Sequence, residues 1–108
     1  ADEDISLDDS IFTDFFDTQK ATLKSISKLA KLTNSKVLPC MCTYNFESNH
    51  YFFKVFPELD NFPSDNIVED CLKINMCLQQ QILFDVSQYM WTLRIYKHRP
   101  DGSDVYKI

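Results

Sequence analysis

Aromatic and cationic side chains interleave in the closing stretch of the chain, residues 88–100, which reads QYMWTLRIYKHRP. The stretch carries three aromatic residues with amphipathic rings and three cations, namely Tyr89, Trp91, Tyr96, Arg94, Lys97 and Arg99. Guanidinium and ammonium groups beside aromatic rings suit the recognition of phosphate or carboxylate at a partly apolar boundary, and such rings also favour the membrane–water interface. The alternative is an ordinary basic surface around a buried tryptophan, since exposed charge clusters are common.

The spacing of the three cations predicts their arrangement. If residues 91–97 are helical, Arg94 and Lys97 lie three positions apart and share a face. Trp91 lies one turn earlier on that face, where it packs inward and holds the pair in place. Arg99 follows at the point where a proline ends the element. We therefore expect the three cations to converge on one phosphate or carboxylate.

The composition argues against several other kinds of site. The 108-residue chain has a net charge of −5, which disfavours a nucleic acid as partner. Gly102 is the single glycine, so a glycine-rich phosphate loop is excluded. No apolar run approaches the ~20 residues that span a bilayer, and no secretory signal peptide is visible. The chain opens at ADEDIS without an initiator Met, and we expect it to be a piece of a longer protein.

Neither the cysteines nor the acids have the spacing of metal ligands. The four cysteines, Cys40, Cys42, Cys71 and Cys77, contain no CxxC motif, and neither histidine has zinc-finger spacing from a pair of them. We expect four reduced thiols in the core of a protein on the cytosolic side. The acidic opening lacks the glycine and terminal glutamate of an EF-hand loop, so we expect neither zinc nor calcium.

The elements that must position the closing stretch are organised around residues 36–44, the near-continuous apolar run KVLPCMCTY. This run is too short for an ordinary helix and predicts a strand covered on both faces. Pro39 qualifies this prediction, because proline favours the first residues of a strand, an edge or a bulge. Residues 50–57 alternate in polarity and predict the antiparallel partner of that strand. His50, which begins the partner strand with no nucleophile or acid beside it, is interpreted as structural.

A first helix is predicted upstream of this hairpin. Thr18 is interpreted as its N-cap, and the helix runs to about Thr33, where Asn34-Ser35 stops it. Its apolar face consists of Leu23, Ile26, Leu29, Ala30 and Thr33. Before it, residues 10–16 are a candidate short strand or turn packed on the core.

A second helix is predicted downstream. Ser64, Asp65 or Asn66 caps it, with Glu69 placed as in a capping box, and it ends near Phe84. Its apolar stripe consists of Ile67, Cys71, Ile74, Leu78 and Ile82. The whole predicts one α/β domain over residues 1–108, in which two helices accompany an antiparallel hairpin that forms part of a mixed sheet.

The closing stretch resembles the last signature of the bacterial lipid A biosynthesis acyltransferases, the lauroyl/myristoyl group within the lysophospholipid acyltransferases. That signature runs Gln-Tyr-x-Trp, then His-Arg-Arg-Phe-Lys-Thr-Arg-Pro, a glycine and a tyrosine. Earlier landmarks agree in order and spacing. Asp2-Glu3-Asp4 resembles the family's Asp-Gln-Asp, and residues 10–16 resemble its Ser-Val-Phe-x-x-Phe-Phe. Residues 21–22, 29–33 and 37–39 also match. The resemblance covers essentially the whole chain but only about the last third of a family member.

Some positions depart from the family pattern. The family's Phe-Phe-Gly is Phe-Phe-Asp here, ending at Asp17. Its His-Arg-Arg is replaced by Leu93, Arg94 and Ile95, with the loss of one imidazole and one guanidinium. The catalytic dyad of the family, a histidine followed five positions later by an acid, is absent from these residues. The family places this dyad upstream of the matching stretch.

The resemblance implies an acyltransferase of glycerolipid-acyltransferase-like fold at the cytoplasmic face of the bacterial inner membrane. In such an enzyme the histidine acts as general base on a sugar or lipid hydroxyl, which attacks an acyl thioester without a metal or other cofactor. The donor is acyl carrier protein or acyl-CoA, and the acceptor is a lipid A precursor. Five residues are candidates for shaping the lipid or carrier end of the site: Asp2, Asp4, Arg94, Lys97 and Arg99.

Two other functions stay open at this point. One is a sister acyltransferase that acts on another glycolipid or phospholipid, to which the replacement of the family's histidine by Leu93 points. The other is a non-catalytic binding module derived from the same fold. In each case we expect the chain alone to be a soluble, catalytically inactive fragment that associates with itself, because half a sheet leaves an unpaired edge.

Overall fold

A computed structural model describes residues 3–107, which form two separate two-stranded sheets and two helices. In chain order the elements are β1 (Ser10–Phe15), β2 (Thr18–Leu23), α1 (Ser25–Thr33), β3 (Cys40–Asn45), β4 (His50–Val55) and α2 (Ile67–Phe84), followed by a 3-10 turn at Val86–Gln88. Both strand pairs are antiparallel. The prediction of an α/β chain with two helices and an antiparallel hairpin is confirmed. That this hairpin forms part of a larger mixed sheet stays a prediction.

The helix predicted from Thr18 is wrong in its first half, because residues 18–23 form strand β2. The chain reverses at Phe16 and Asp17, whose φ angles of 49° and 56° are those of a two-residue turn that suits hairpin twist. Across the pair, the hydroxyl oxygens of Thr13 and Thr22 lie 2.9 Å apart. Pairing with β1 therefore overrides the helical pattern until α1 begins. The candidate strand at residues 10–16 is confirmed as β1.

The first helix ends where the sequence predicts. Asn34 adopts a left-handed conformation with φ 52°, and the N–H of Ser35 donates to the carbonyl of Ala30 at 3.1 Å. Only Ser27 and Ala30 are buried in this helix. Leu29, which was predicted on the buried face, is exposed.

The second helix begins at a side-chain cap. Asn66 is the N-cap among the three predicted candidates, and its Oδ1 accepts from the N–H groups of Val68 and Glu69 at 3.0 and 3.3 Å. The helix ends at Phe84 as predicted. Three members of the predicted stripe are buried, and the other two are half-buried: Cys71, Ile74 and Ile82, then Ile67 and Leu78.

A small core joins this helix to the first strand pair and to the closing stretch. Phe15, Ile82 and Ile95 are buried together, with Leu78 and Tyr96 packed against them. Beside this apolar cluster lies a buried polar one, in which the amide nitrogen of a single asparagine of α2 donates to both strands. Asn75 Nδ2 lies 2.8 Å from each of the hydroxyl oxygens of Thr13 and Thr22, and 3.2 Å from the carbonyl oxygen of Asp14.

The second hairpin is antiparallel as predicted, but its first strand begins at Cys40 rather than at residue 36, and it is not covered on both faces. Residues directly opposite across an antiparallel pair share a face, so one face carries only apolar or aromatic side chains: Cys40, Cys42, Tyr44, Tyr51, Phe53 and Val55. Every residue of β4 is exposed, including Tyr51 at 75% and Phe53 at 67%. The apolar sequence predicted burial, but five of the six residues of this face are exposed and only Tyr44 is half-buried.

The four cysteines do not share one environment, so the prediction of four core thiols is wrong in part. Cys71 is buried and Cys77 half-buried in α2, whereas Cys40 and Cys42 are exposed on the second hairpin. Burial, reinforced by the neighbouring Asp70 carboxylate, raises the pKa of the Cys71 thiol to about 11. Cys71 is therefore an unreactive packing residue.

A buried carboxylate fastens the two helices together. Asp70 on α2 is only 1% exposed. It accepts from the hydroxyl of Ser27 on α1 at 2.5 Å and from the N–H of Ser64 at 2.9 Å. Burial by itself would raise the pKa of Asp70, but the hydrogen bonds from Ser27 and Ser64 outweigh it and hold that pKa below its ordinary value.

We predict that Asp70→Ala lowers the free energy of unfolding by about 2–3 kcal/mol, because two donors lose a charged acceptor. Chemical denaturation followed by circular dichroism measures this change. Asp65→Ala is the matched control, since Asp65 pairs with Lys31 on the open surface, and we expect a change below about 0.5 kcal/mol. Equal losses in the two variants would contradict the assignment.

The same contact predicts a pH dependence. Because the folded pKa of Asp70 lies below its ordinary value of 3.8, its contribution is complete above that pH and is lost as the pH falls through the folded pKa. The difference in unfolding free energy between wild type and Asp70→Ala should therefore shrink below about pH 4. A difference that stays constant down to pH 2 would show that ionisation does not contribute.

Candidate functional site

The closing stretch is a chain of turns rather than the predicted helix. Local hydrogen bonds close these turns, for example from the N–H of Leu93 to the carbonyl of Met90 at 3.0 Å and from Lys97 to Arg94 at 3.1 Å. Trp91, which was predicted to pack inward, is 51% exposed, and its indole N–H donates to the carbonyl of Val86 at 2.8 Å. The inward anchor is Ile95 instead, which is 4% exposed in the core.

Tyr96 fixes the closing stretch to the first strand pair. Its hydroxyl donates to the carbonyl of Phe15 at 2.7 Å, and its backbone N–H donates to the hydroxyl of Tyr106 at 3.3 Å. Burial raises the pKa of Tyr96, as does Tyr106, and the nearby Arg99 only partly opposes them. The phenol therefore stays protonated and keeps donating at neutral pH.

The structure gives the three predicted cations different surroundings. Arg99 is half-buried. Its Nη1 donates to the carbonyl of Gln19 on β2 at 3.1 Å, and its guanidinium carbon lies 5.9 Å from the ring centre of Tyr96. Arg94 is exposed, with its guanidinium carbon 5.9 Å from the ring centre of Tyr106. Lys97 is exposed as well.

The three cations therefore differ in what they can bind. Arg99 already has a carbonyl partner, so it holds the closing stretch against β2. The charged groups of Arg94 and Lys97 have no hydrogen bond or ion pair to any residue between 3 and 107 and are open to a ligand. The convergence of all three on one anion stays a prediction.

The two predicted acids fare differently. Asp2 lies outside the described residues. Asp4 is described, and its carboxylate has no exposed surface. Its Oδ2 accepts from the backbone N–H of His98 at 2.7 Å, and its Oδ1 lies 2.5 Å from Nδ1 of the same residue. Both carboxylate oxygens of Asp4 thus hold His98.

His98 is the residue that sequence reasoning missed. The dyad pattern requires an acid five positions downstream, and Ser103 stands there. The partner of His98 is instead 94 positions upstream, and no local spacing rule detects a contact of that separation. The resemblance in the acidic opening did single out Asp4, but it gave no hint of what Asp4 contacts.

Two kinds of site are not seen in the described part of the chain. Between residues 3 and 107, no three side chains of His, Cys, Asp or Glu lie together as metal ligands. No helix in the same range is both long and apolar enough to cross a membrane.

Comparison with known proteins identifies a family. The family described as bacterial lipid A biosynthesis acyltransferase matches residues 1–98. A lipid A biosynthesis acyltransferase of Haemophilus influenzae is 34% identical, over 97% of this chain and 32% of its own length. The lipid A biosynthesis myristoyltransferase of Escherichia coli is 30% identical, over 94% of this chain and 31% of its own length.

A third relative, the lipid A biosynthesis palmitoleoyltransferase of Escherichia coli, is 26% identical over 94% of this chain and 33% of its own length. The chain therefore spans about a third of the length of the relatives it matches. No solved structure is significantly similar to the chain.

We predict that Tyr96→Phe lowers the free energy of unfolding by about 1 kcal/mol, because it removes one hydroxyl donor and leaves the carbonyl of Phe15 unpaired. Urea denaturation of the chain measures this loss. Tyr51→Phe makes the same chemical change on an exposed ring and should leave the midpoint where it is. An unchanged midpoint for Tyr96→Phe would mean that this bond does not anchor the closing stretch.

Proposed function

Because the chain belongs to the bacterial lipid A biosynthesis acyltransferase family, we propose that it forms the closing part of an enzyme that acylates a lipid A precursor. The match over residues 1–98 carries this proposal. In the proposed reaction, the oxygen of an acceptor hydroxyl attacks the carbonyl carbon of an acyl thioester. An ester bond forms, the carbon–sulfur bond breaks, and the proton of the hydroxyl passes to the released thiolate.

The chain contributes a recognition surface to this enzyme rather than its general base. Val55 stands five positions after His50 and Ser103 five positions after His98, so neither histidine is followed by the acid of the family's dyad. The open cations Arg94 and Lys97 suit an anionic group on the acceptor or on the donor. We therefore propose that these two residues recognise an anion while Arg99 fixes their backbone to β2.

The proposed surroundings follow from the same reaction. The donor is acyl carrier protein or acyl-CoA, both of which present an acyl thioester, and the acceptor is a lipid A precursor. We place the whole enzyme at the cytoplasmic face of the bacterial inner membrane. There the exposed ring of Trp91 suits contact with the membrane–water interface.

One observation favours a second candidate, an acyltransferase with another glycolipid or phospholipid as acceptor. Ile95 stands where the resembling motif has an arginine, and Ile95 is buried with Phe15 and Ile82. A position that is cationic in the motif therefore packs the core here, and Leu93 beside it replaces a histidine. The two replacements remove polar groups from the closing stretch, and the loss of polar groups in a binding region changes which acceptor it prefers.

We predict that Arg94→Ala in the whole enzyme lowers kcat/KM by roughly tenfold or more, which corresponds to ~1.4 kcal/mol of lost transition-state stabilisation. The melting temperature should not change, because Arg94 is exposed. Acyl transfer to a lipid A precursor is the assay. Lys36→Ala, which removes an exposed cation paired with Glu58, serves as control and should leave kcat/KM unaltered.

Two results would speak against this part of the proposal. Unchanged kinetics for Arg94→Ala would make the cation an ordinary surface charge. Acyl transfer by the 108-residue chain on its own would contradict the assignment of the general base to a part of the enzyme outside this chain.

We also propose that the isolated chain associates with a second copy through its second hairpin. Gln88 covers the backbone of Tyr44 on β3, accepting from its N–H at 2.7 Å and donating to its carbonyl at 2.8 Å. No such cover lies along β4, whose only strand partner within residues 3–107 is β3. The outer edge of β4 and the apolar face beside it are therefore free to pair with another chain.

Phe53→Lys should shift the isolated chain toward monomer, because a charge on the apolar face opposes its burial in an interface. Sedimentation velocity over a range of concentrations measures the shift. Leu32→Lys is the matched control, since Leu32 is 84% exposed on α1, away from the hairpin. A wild-type chain that stays monomeric at high concentration would refute this association.

A further inference from the structure

The pairing of Asp4 with His98 differs from an ordinary surface ion pair. The Asp4 side chain has no exposed surface, whereas that of His98 is 26% exposed. Two bonds, to the backbone N–H and to Nδ1, fix both the main chain and the ring of His98. A buried carboxylate whose two oxygens both bind one histidine orients the imidazole. In metal and acid–base sites, a carboxylate bound to one ring nitrogen orients the other nitrogen in the same way.

The second ring nitrogen of His98 is left for another partner. A carboxylate only accepts hydrogen bonds, so Nδ1 is the donor and carries the proton in this contact. Nε2 has no hydrogen bond to any residue in the range 3–107, and it is not among the buried polar atoms that lack a partner. It therefore keeps contact with solvent.

Cationic residues flank His98 in the chain. Lys97 precedes it and is exposed, and Arg99 follows it, held to β2. Arg94 is linked to Lys97 by the turn hydrogen bond at 3.1 Å. An oriented imidazole between cations suits a phosphate monoester. Nε2 accepts from a protonated phosphate oxygen when the ring is neutral, and donates to an ionised one when it is charged.

We propose that His98 contacts a phosphate-bearing ligand through Nε2 and that Asp4 is the positioning residue that aims it. This inference rests on the anion-recognising role proposed above for Arg94 and Lys97. It also changes the role expected of Asp4: the carboxylate does not touch the ligand but acts through the imidazole. The ligand class is a phosphate monoester, such as a phosphorylated sugar.

The test separates ligand contact from a purely structural role. Asparagine places an amide N–H close to the position of Nδ1 and has nothing at the position of Nε2. His98→Asn should therefore keep the bond to Asp4 and the melting temperature, yet weaken phosphate binding by about tenfold. His50→Asn is the matched control, because His50 bonds only locally, to the carbonyl of Ser48. This variant should bind phosphate with the affinity of the wild type.

The measurement is equilibrium dialysis of the 108-residue chain against radiolabelled inorganic phosphate and against glucose 1-phosphate. Glucose 1-phosphate should bind more tightly than inorganic phosphate. Equal affinities would mean that the sugar contributes nothing and would contradict a phosphorylated sugar as the ligand class. Binding of inorganic phosphate alone would restrict the site to free phosphate and contradict the monoester. Asp4→Ala should lose both affinity and melting temperature.

Arg94→Ala and Lys97→Ala separate the role of His98 from that of the two cations. If these variants weaken binding and His98→Asn does not, the inference about His98 fails and the anion-recognising surface stands. If the wild-type chain binds neither phosphate probe, both fail, and the family membership of the chain is unaffected.

Discussion

One asparagine determines how the described chain is assembled. Asn75 is fully buried and donates from Nδ2 to the hydroxyls of Thr13 and Thr22, one on each strand of the first hairpin. This contact constrains the rotation of α2 against β1 and β2, because turning the helix would take the buried Nδ2 away from both acceptors. With that rotation set, Ile82 faces Phe15, and the closing stretch can add Ile95 to the same cluster. The cations of the closing stretch depend on this arrangement for their positions.

The chain is built unevenly. Around Asn75 and Asp70, helices and strands meet through buried hydrogen bonds, and the apolar side chains between them are covered. The second hairpin has the opposite character, with Tyr51 and Phe53 exposed on a strand that pairs only with β3 among residues 3–107. A match to about a third of the length of each relative agrees with a segment that buries part of its apolar surface internally and leaves the rest uncovered.

The closing stretch is held by contacts to residues near the start of the chain. Three contacts hold this stretch in place. Tyr96 donates to a carbonyl of β1 and Arg99 to a carbonyl of β2, and Asp4 accepts from the backbone of His98. Each contact crosses most of the length of the chain, so Arg94 and Lys97 take up their positions only when residues near the two ends have come together. Because other side chains hold the backbone, Arg94 and Lys97 are exposed and still have fixed positions in the chain. Such preorganisation lowers the cost of binding a charged ligand.

The sequence by itself determined the elements with strong local signals. Asn66 and the spacing of Cys71, Ile74 and Ile82 were enough for α2, and polar residues at Asn34 were enough to end α1. The order of motifs was enough for the family, because it depends on residue identity alone. Contacts distant in sequence decided the rest. Residues 18–23 became a strand through β1, the closing stretch became turns because Ile95 and Tyr96 pack on Phe15, and Asp4 found His98. Local propensity differs by less than about 1 kcal/mol per residue between states, so burial and long-range hydrogen bonds, which no local pattern encodes, settled these positions.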